Sequence, residues 1–165
     1  MDHVTQNWIG PRGCSLEQAT YVPPSPILLN DLLEQFIEYA NLEDEDLDPL
    51  IQAALIHAQF ELIHPFDDGN GRIGRILIPL FLVRRKSLVS PSLYLSGYLE
   101  TNRDTYYQYL EDISRKGDWL GWVTFFLNAV VKQSESNLDL VRKIIELYEK
   151  KKKELSNLLH VNGQN

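Results

Sequence analysis

His64-Pro65-Phe66-Asp67-Asp68-Gly69-Asn70-Gly71-Arg72-Ile73-Gly74-Arg75 places an imidazole, two adjacent carboxylates, a Gly-Asn-Gly turn and two arginines within twelve residues. Each is one part of a polyphosphate chemistry. His64 titrates near neutral pH, as a general base should. Asp68 is a hard oxygen ligand of the kind that holds Mg²⁺ against phosphates. Gly69 and Gly71 remove side chains where a backbone must approach phosphate oxygens. Asn70 between them tolerates a left-handed conformation and offers an amide donor. Arg72 and Arg75 stand three apart, so on a helix two guanidinium forks can point at one polyphosphate. Together these residues predict removal of a proton beside a metal-bound polyphosphate.

Taken singly, every one of these residues has a plainer reading. A Gly-Asn-Gly turn is usually only a turn, Asp67-Asp68 can cap a helix, and the two arginines can be a solvated face. Their conjunction at this spacing favours the site. A helix that starts near residues 69–72 leaves its first N–H groups unpaired, and its dipole draws an anion there.

The elements that must position this stretch follow from the pattern around it. Residues 1–26 carry Gly10-Pro11, Gly13, Pro23-Pro24 and Pro26 among Trp8, Ile9, Tyr21 and Val22. That density of Pro and Gly excludes a long helix and predicts a hairpin or extended flap. From Ile27 the period is helical, with Leu28, Leu32, Leu33, Phe36 and Ile37 as an apolar stripe to about Tyr39. The acidic run 43–46 reads as a solvated loop, and Asp48-Pro49 as the cap and first residue of the next helix. Leu50, Ala54, Leu55, Ala58 and Leu62 carry that helix to His64. A buried helix is expected from about Asn70 to Arg85, with a kink or early stop at Pro79. Four more helical segments follow: Leu93 to about Leu99, Arg103 to Ile113, Trp119 to Val131 capped by Asp118, and 137–159. The fold class is all-α with a small N-terminal β element. We divide the chain into a flap at 1–26, a helical core at 27–135 and a C-terminal amphipathic helix and tail at 136–165.

Composition bounds the function. The chain has 165 residues, 44% hydrophobic and 24% charged, which fits one globular domain. Sixteen basic against 23 acidic side chains leave a formal charge of −7, which disfavours nucleic acid and anionic membranes as partners. The arginines of the motif are then a local positive site suited to a small anion. Cys14 is the only cysteine, which suits a reducing cytosol. The longest apolar run, Ile76 to Val83, is eight residues including Pro79, too short to span a bilayer. No basic and apolar leader opens the chain, so a cytoplasmic soluble domain is expected. The lysine run 150–153 lacks interleaved aromatics and reads as a solvated face.

The stretch from His64 to Arg75 resembles the signature of the Fic family, His-x-Phe-x-(Asp/Glu)-Gly-Asn-Gly-Arg-x-x-Arg, at every fixed position. Thr5-Gln6-Asn7-Trp8-Ile9-Gly10 with Tyr21-Val22-Pro23-Pro24 is similar to the family's flap hairpin. Leu93 through Arg103, Tyr106, Tyr107 and Trp122 is similar to its helices behind the nucleotide, so the likeness runs to about residue 135.

The resemblance implies a Fic-type helical domain and transfer of AMP from ATP to a Ser, Thr or Tyr hydroxyl of a target protein, releasing pyrophosphate, with self-modification as a further outcome. It implies that His64 deprotonates the hydroxyl and that Asp68 holds Mg²⁺ on the α- and β-phosphates. Gly69, Asn70 and Gly71 would cradle the phosphates, Arg72 would neutralise the outer ones, and Arg75 would orient the γ-phosphate. Phe66 would fix the loop from the core side, and Tyr106 or Tyr107 would stack near adenine. The target protein would dock on flap residues 5–24 by strand-like pairing. The intact Gly-Asn-Gly-Arg-x-x-Arg form favours adenylyl transfer over other donors. A nucleotide- or partner-binding module without turnover and a transferase using another nucleotide are the alternatives. A P-loop NTPase is disfavoured, because no Gly-x-x-x-x-Gly-Lys-Ser/Thr run exists. A homodimer is compatible with the sequence.

Family members are commonly silenced by a Ser/Thr-x-x-x-Glu-Gly/Asn helix whose Glu pairs with the second arginine. Ser96 and Glu100 have that spacing but are followed by Thr101, and a structural role is preferred for them. Without such a motif Arg75 is expected to be open to ATP, and the chain to be a truncated gene product or a cut-down piece. His57, Glu61 and His64 share a helical side at i, i+4 and i+7, a spacing also used by metal sites. A His57–Glu61 pair that steadies the helix is the preferred reading. Trp119, Trp122, Phe125 and Phe126 are expected in the core.

Overall fold

A computed structural model describes residues 6–11, 13–42 and 46–162, with side-chain burial described as far as residue 155. Six α-helices occupy the described residues: α1 (Pro26–Asn41), α2 (Pro49–Ile63), α3 (Asn70–Arg84), α4 (Ser96–Thr101), α5 (Arg103–Lys116) and α6 (Trp119–Asn162). Three start where local chemistry dictates. The Ser25 hydroxyl accepts from the Ile27 N–H ahead of Pro26, and Asp48 Oδ1 accepts from Leu50 at 2.8 Å ahead of Pro49. Asp118 Oδ1 accepts from Gly121 at 2.9 Å, while Gly117 at φ 69° closes α5 in a left-handed turn.

Helix α2 is the hub. It packs against α1, α3, α5 and α6 and buries residues on every side, the mark of a core helix. The Trp122 indole, wholly buried, donates to the Ala54 carbonyl at 2.9 Å and fixes α6 to α2. Gln52, also wholly buried, donates to the Leu42 carbonyl at 3.1 Å and accepts from Arg85 at 2.9 Å. One amide thus joins the end of α1, the start of α2 and the end of α3.

Several predicted details are corrected. The buried residue of α1 is Leu29, with Phe36, Tyr39 and Ala40 packed against the core, while Leu28 and Ile37 are exposed. Leu32, Leu33 and Phe36 of the expected stripe are half-buried as read, and the inward side runs 29, 32, 33, 36, 39, 40. Pro79 neither stops nor shortens α3, which runs on to Arg84 with Pro79 buried inside it. The segment expected to be helical from Leu93 becomes helical only at Ser96. Leu93 and Leu95 are buried between exposed Ser92 and Tyr94, a period of two that belongs to extended chain. The two helices expected at 119–131 and 137–159 are one, because no Gly or Pro falls between Gly121 and the helix end.

At the front, Ile9 and Tyr21 form one antiparallel bridge, with N–H···O distances of 2.8 and 3.1 Å, and Leu16–Gln18 make a 3₁₀ turn. Residues 1–5 and 12 of the expected flap, and 43–45 of the expected acidic loop, lie outside the described residues.

Candidate active site

Helix α2 ends because His64 turns left-handed, at φ 50° and ψ 58°, and Pro65 follows. A left-handed non-glycine residue costs roughly 1–2 kcal/mol, so its surroundings must hold it there. The His64 N–H still closes on the Phe60 carbonyl at 3.0 Å. Its Nδ1 lies 3.3 Å from the Glu61 carbonyl, which can only accept. The proton therefore sits on Nδ1, and Nε2 is the basic nitrogen.

The turn that follows is clamped from inside. Asn70, 2% exposed, accepts from the Phe66 N–H at 2.9 Å and donates to the Phe66 carbonyl at 2.6 Å. Phe66 in turn packs its ring on Phe60, with centroids 6.4 Å apart. Two expectations for Asn70 are corrected here. Its side chain is committed to the loop rather than offered to a ligand, and the left-handed residue is Gly69, at φ 92°. With Gly69 as cap and no side chain bonded to the first turn, α3 opens with N–H groups lacking intrahelical partners.

The two arginines differ in setting. Arg72 Nη2 bonds Asp68 Oδ2 at 3.1 Å, both side chains being open to solvent. Such an exposed pair is weak and easily exchanged. Arg75 is half-buried, and its guanidinium passes Gly71 so closely that a Cβ there would lie 3.1 Å from Nη1. A side chain at 71 would press on that guanidinium, which would have to shift by a few tenths of an ångström.

Beneath them is a buried polar cluster that does not match the expected His57–Glu61 pair. His57, wholly buried, has Nε2 3.0 Å from the Tyr106 hydroxyl, while Glu61 Oε1 is buried without a hydrogen-bond partner. Burial pushes His57 down to about 4. Its Nδ1 has no partner at hydrogen-bonding geometry, although the Gly74 main chain partly opposes that fall and Arg75 adds to it. Burial pushes the Glu61 carboxyl up to about 7 against the pull of Arg75 and the Tyr106 hydroxyl. Tyr106 lies well above the usual phenol range, again chiefly from burial, and stays protonated.

A cleft of about 350 Å³ opens beside Glu61, His64 and Gly71, while Asp68, Gly69, Asn70, Arg72 and Arg75 are not among its lining residues. Ile9, Gly10, Thr20 and Tyr21 form its flap side, and Glu61, Leu62, His64 and Gly71 its floor. Arg103, Tyr107, Leu110 and Glu111 from α5 close it. Tyr107 is half exposed with Arg103 5.5 Å over its ring, whereas Tyr106 is 3% exposed and faces His57. Of the two tyrosines singled out in the sequence, Tyr107 lines the cleft. Tyr21, expected in the flap, and Arg103, expected behind the nucleotide, both line the cleft, whereas Glu61 was read only as a partner of His57. The signal that could have placed Glu61 there is that it is the one acid in α2, three residues before His64. Ser96 and Glu100 lie on the exposed side of α4, where Glu100 is 3.8 Å from Arg103.

The described residues form an all-α domain in which His64, at the end of α2, stands just ahead of the uncapped start of α3. Residues 3–82 match the model of the Fic/DOC family. Protein adenylyltransferase Fic of Culex quinquefasciatus is 33% identical over 121 residues, covering 73% of this chain and 22% of that protein. A probable protein adenylyltransferase of Aquifex aeolicus is 38% identical over 65 residues, 39% of this chain and 20% of that one. The crystal structure of a Fic family protein from Desulfovibrio desulfuricans G20 superposes with a TM-score of 0.65 at 27% identity, over 73% of this chain and 36% of that chain. The chain belongs to the Fic/DOC family. It spans about a fifth of the length of the curated relatives it matches.

Proposed function

We propose that this chain transfers AMP from ATP to a Ser, Thr or Tyr hydroxyl of a target protein, as the names of its relatives say of them. The observation that carries the reading is that His64, with Nε2 as its basic nitrogen, shares one cleft with Gly71 at the open start of α3. Nε2 takes the hydroxyl proton, the freed oxygen attacks the α-phosphorus, and the bond to pyrophosphate breaks. The proton stays on the imidazole and pyrophosphate leaves. N–H groups of residues 70–72 stabilise the charge that grows on the α-phosphate oxygens. Arg75, lying along Gly71, meets the terminal phosphate, and Arg72 turns from Asp68 to the outer phosphates. Tyr107 and Arg103 offer a stacking wall for the base.

The donor set suits Mg²⁺. No group of three or more metal-ligating His, Cys, Asp or Glu side chains converges among the described residues, so an all-protein cage for a transition metal is not built. Asp68 is one exposed carboxylate just ahead of the open start of α3, and Mg²⁺ is typically bound by one or two carboxylates plus substrate phosphates. When bound, the ion would neutralise phosphate charge. The flap, bridged at Ile9 and Tyr21, is the proposed rest for the target segment. The setting proposed is the cytoplasm; among the described residues no helix is long and apolar enough to cross a membrane.

Labelled ATP decides the reading. Wild type should attach labelled AMP to protein, and His64→Ala should lose that label while still binding nucleotide. Equal labelling by the two would refute the role of His64.

A further inference from the structure

The flap touches the segment around His64 at two points that flank it in sequence. The Tyr21 hydroxyl donates to the Leu62 carbonyl at 2.6 Å, and the Asn7 side-chain amide donates to the Phe66 carbonyl at 3.4 Å. The acceptors lie two residues before and two residues after His64. Leu62 belongs to the last turn of α2, whose carbonyls a helix end leaves without partners. Tyr21 can serve it because its own main chain is fixed to Ile9 by two hydrogen bonds. Burial pushes the Tyr21 phenol up to about 12, so the hydroxyl remains a donor over the whole working range.

The turn that accepts this bond is also the turn that sets the imidazole. His64 Nδ1 bonds the Glu61 carbonyl, one residue before Leu62, and that bond makes Nε2 the basic nitrogen. A left-handed residue at a helix end is held by its surroundings. Here the surroundings include the flap.

We propose that Tyr21 is a positioning residue for His64: its hydroxyl pins the last turn of α2, so the flap and the base move as one body. A target segment laid along the flap is then registered to the imidazole. This rests on the proposed adenylyl transfer for its rate consequence alone; the imidazole reports on it directly.

The test uses the full chain with ¹⁵N-labelled histidine rings, His64 being assigned by comparison with His64→Ala. Wild type should show the Nδ1–H form at His64. Tyr21→Phe keeps the ring and removes only the donor. It should move the His64 ring signals toward a mixture of the two tautomers and lower kcat by about tenfold, with the nucleotide Kd unchanged. Asn7→Ala, which breaks the longer bond, should shift the same signals less and in the same direction. His64 signals that stay in place in both variants overturn the proposal, as does a variant that loses thermal stability while keeping kcat. If wild type transfers no AMP, the proposed function fails and the ring spectra alone decide the role of Tyr21.

Discussion

Glu61 and His57 hold their protons against ordinary expectation, and in opposite senses. An unfolded chain ionises Glu61 near 4.5, whereas the folded one holds the proton up to about 7. As pH rises through that interval the unfolded state releases a proton that the native state keeps, so Glu61 subtracts stability progressively, to roughly 3 kcal/mol above pH 7. His57, lowered from 6.5 to about 4, works the other way and subtracts stability as pH falls through its own interval. Between about 4.5 and 6.5 the two slopes oppose each other. Glu61→Gln should therefore raise the urea midpoint at pH 8 and lose that advantage by about pH 4.5. A pH-independent difference between the variant and wild type would refute the buried-carboxyl account.

At the scale of elements, the site depends on how closely α2 and α3 approach. A Cβ on Gly74 would overlap Glu61 Oε1 and lie 3.2 Å from both His57 Nδ1 and Phe60. Gly74→Ala should cost on the order of 1–3 kcal/mol, and distinctly less in a Glu61→Ala background, as a denaturation cycle would show. Equal costs in both backgrounds would place the strain elsewhere. This packing also marks what the sequence could and could not disclose. Helix starts at Pro49 and Trp119 were legible because a cap and its N–H lie within three residues of each other. So was the motif, a continuous stretch whose parts meet locally. The partner of His57 was not, because Tyr106 lies 49 residues away and nothing local selects it over Glu61. Asn70 was misread for a related reason. Residue type shows that an amide can donate, and only the folded loop shows that Phe66 has already taken it. In α1 the sequence could not choose Leu29 over Leu28 as the buried residue, because the two are equally apolar.

At the scale of the molecule, α6 is divided in two by what it touches. Trp122, Phe125, Phe126, Ala129 and Val130 are buried, whereas every residue from Leu138 to Leu155 is exposed. Removing residues 138–165 should then leave the thermal midpoint within about 3 °C, since exposed side chains contribute little. A larger fall would mean that the distal stretch supports the core. The undivided helix also has a mechanical consequence. From Lys132 to Asn162 it extends about 45 Å beyond its last buried turn. A tilt of about 10° at the base, small on the scale of helix packing, sweeps its tip through about 8 Å. A spin label near residue 155 would therefore register movements of the α5–α6 packing too slight to measure beside the cleft itself.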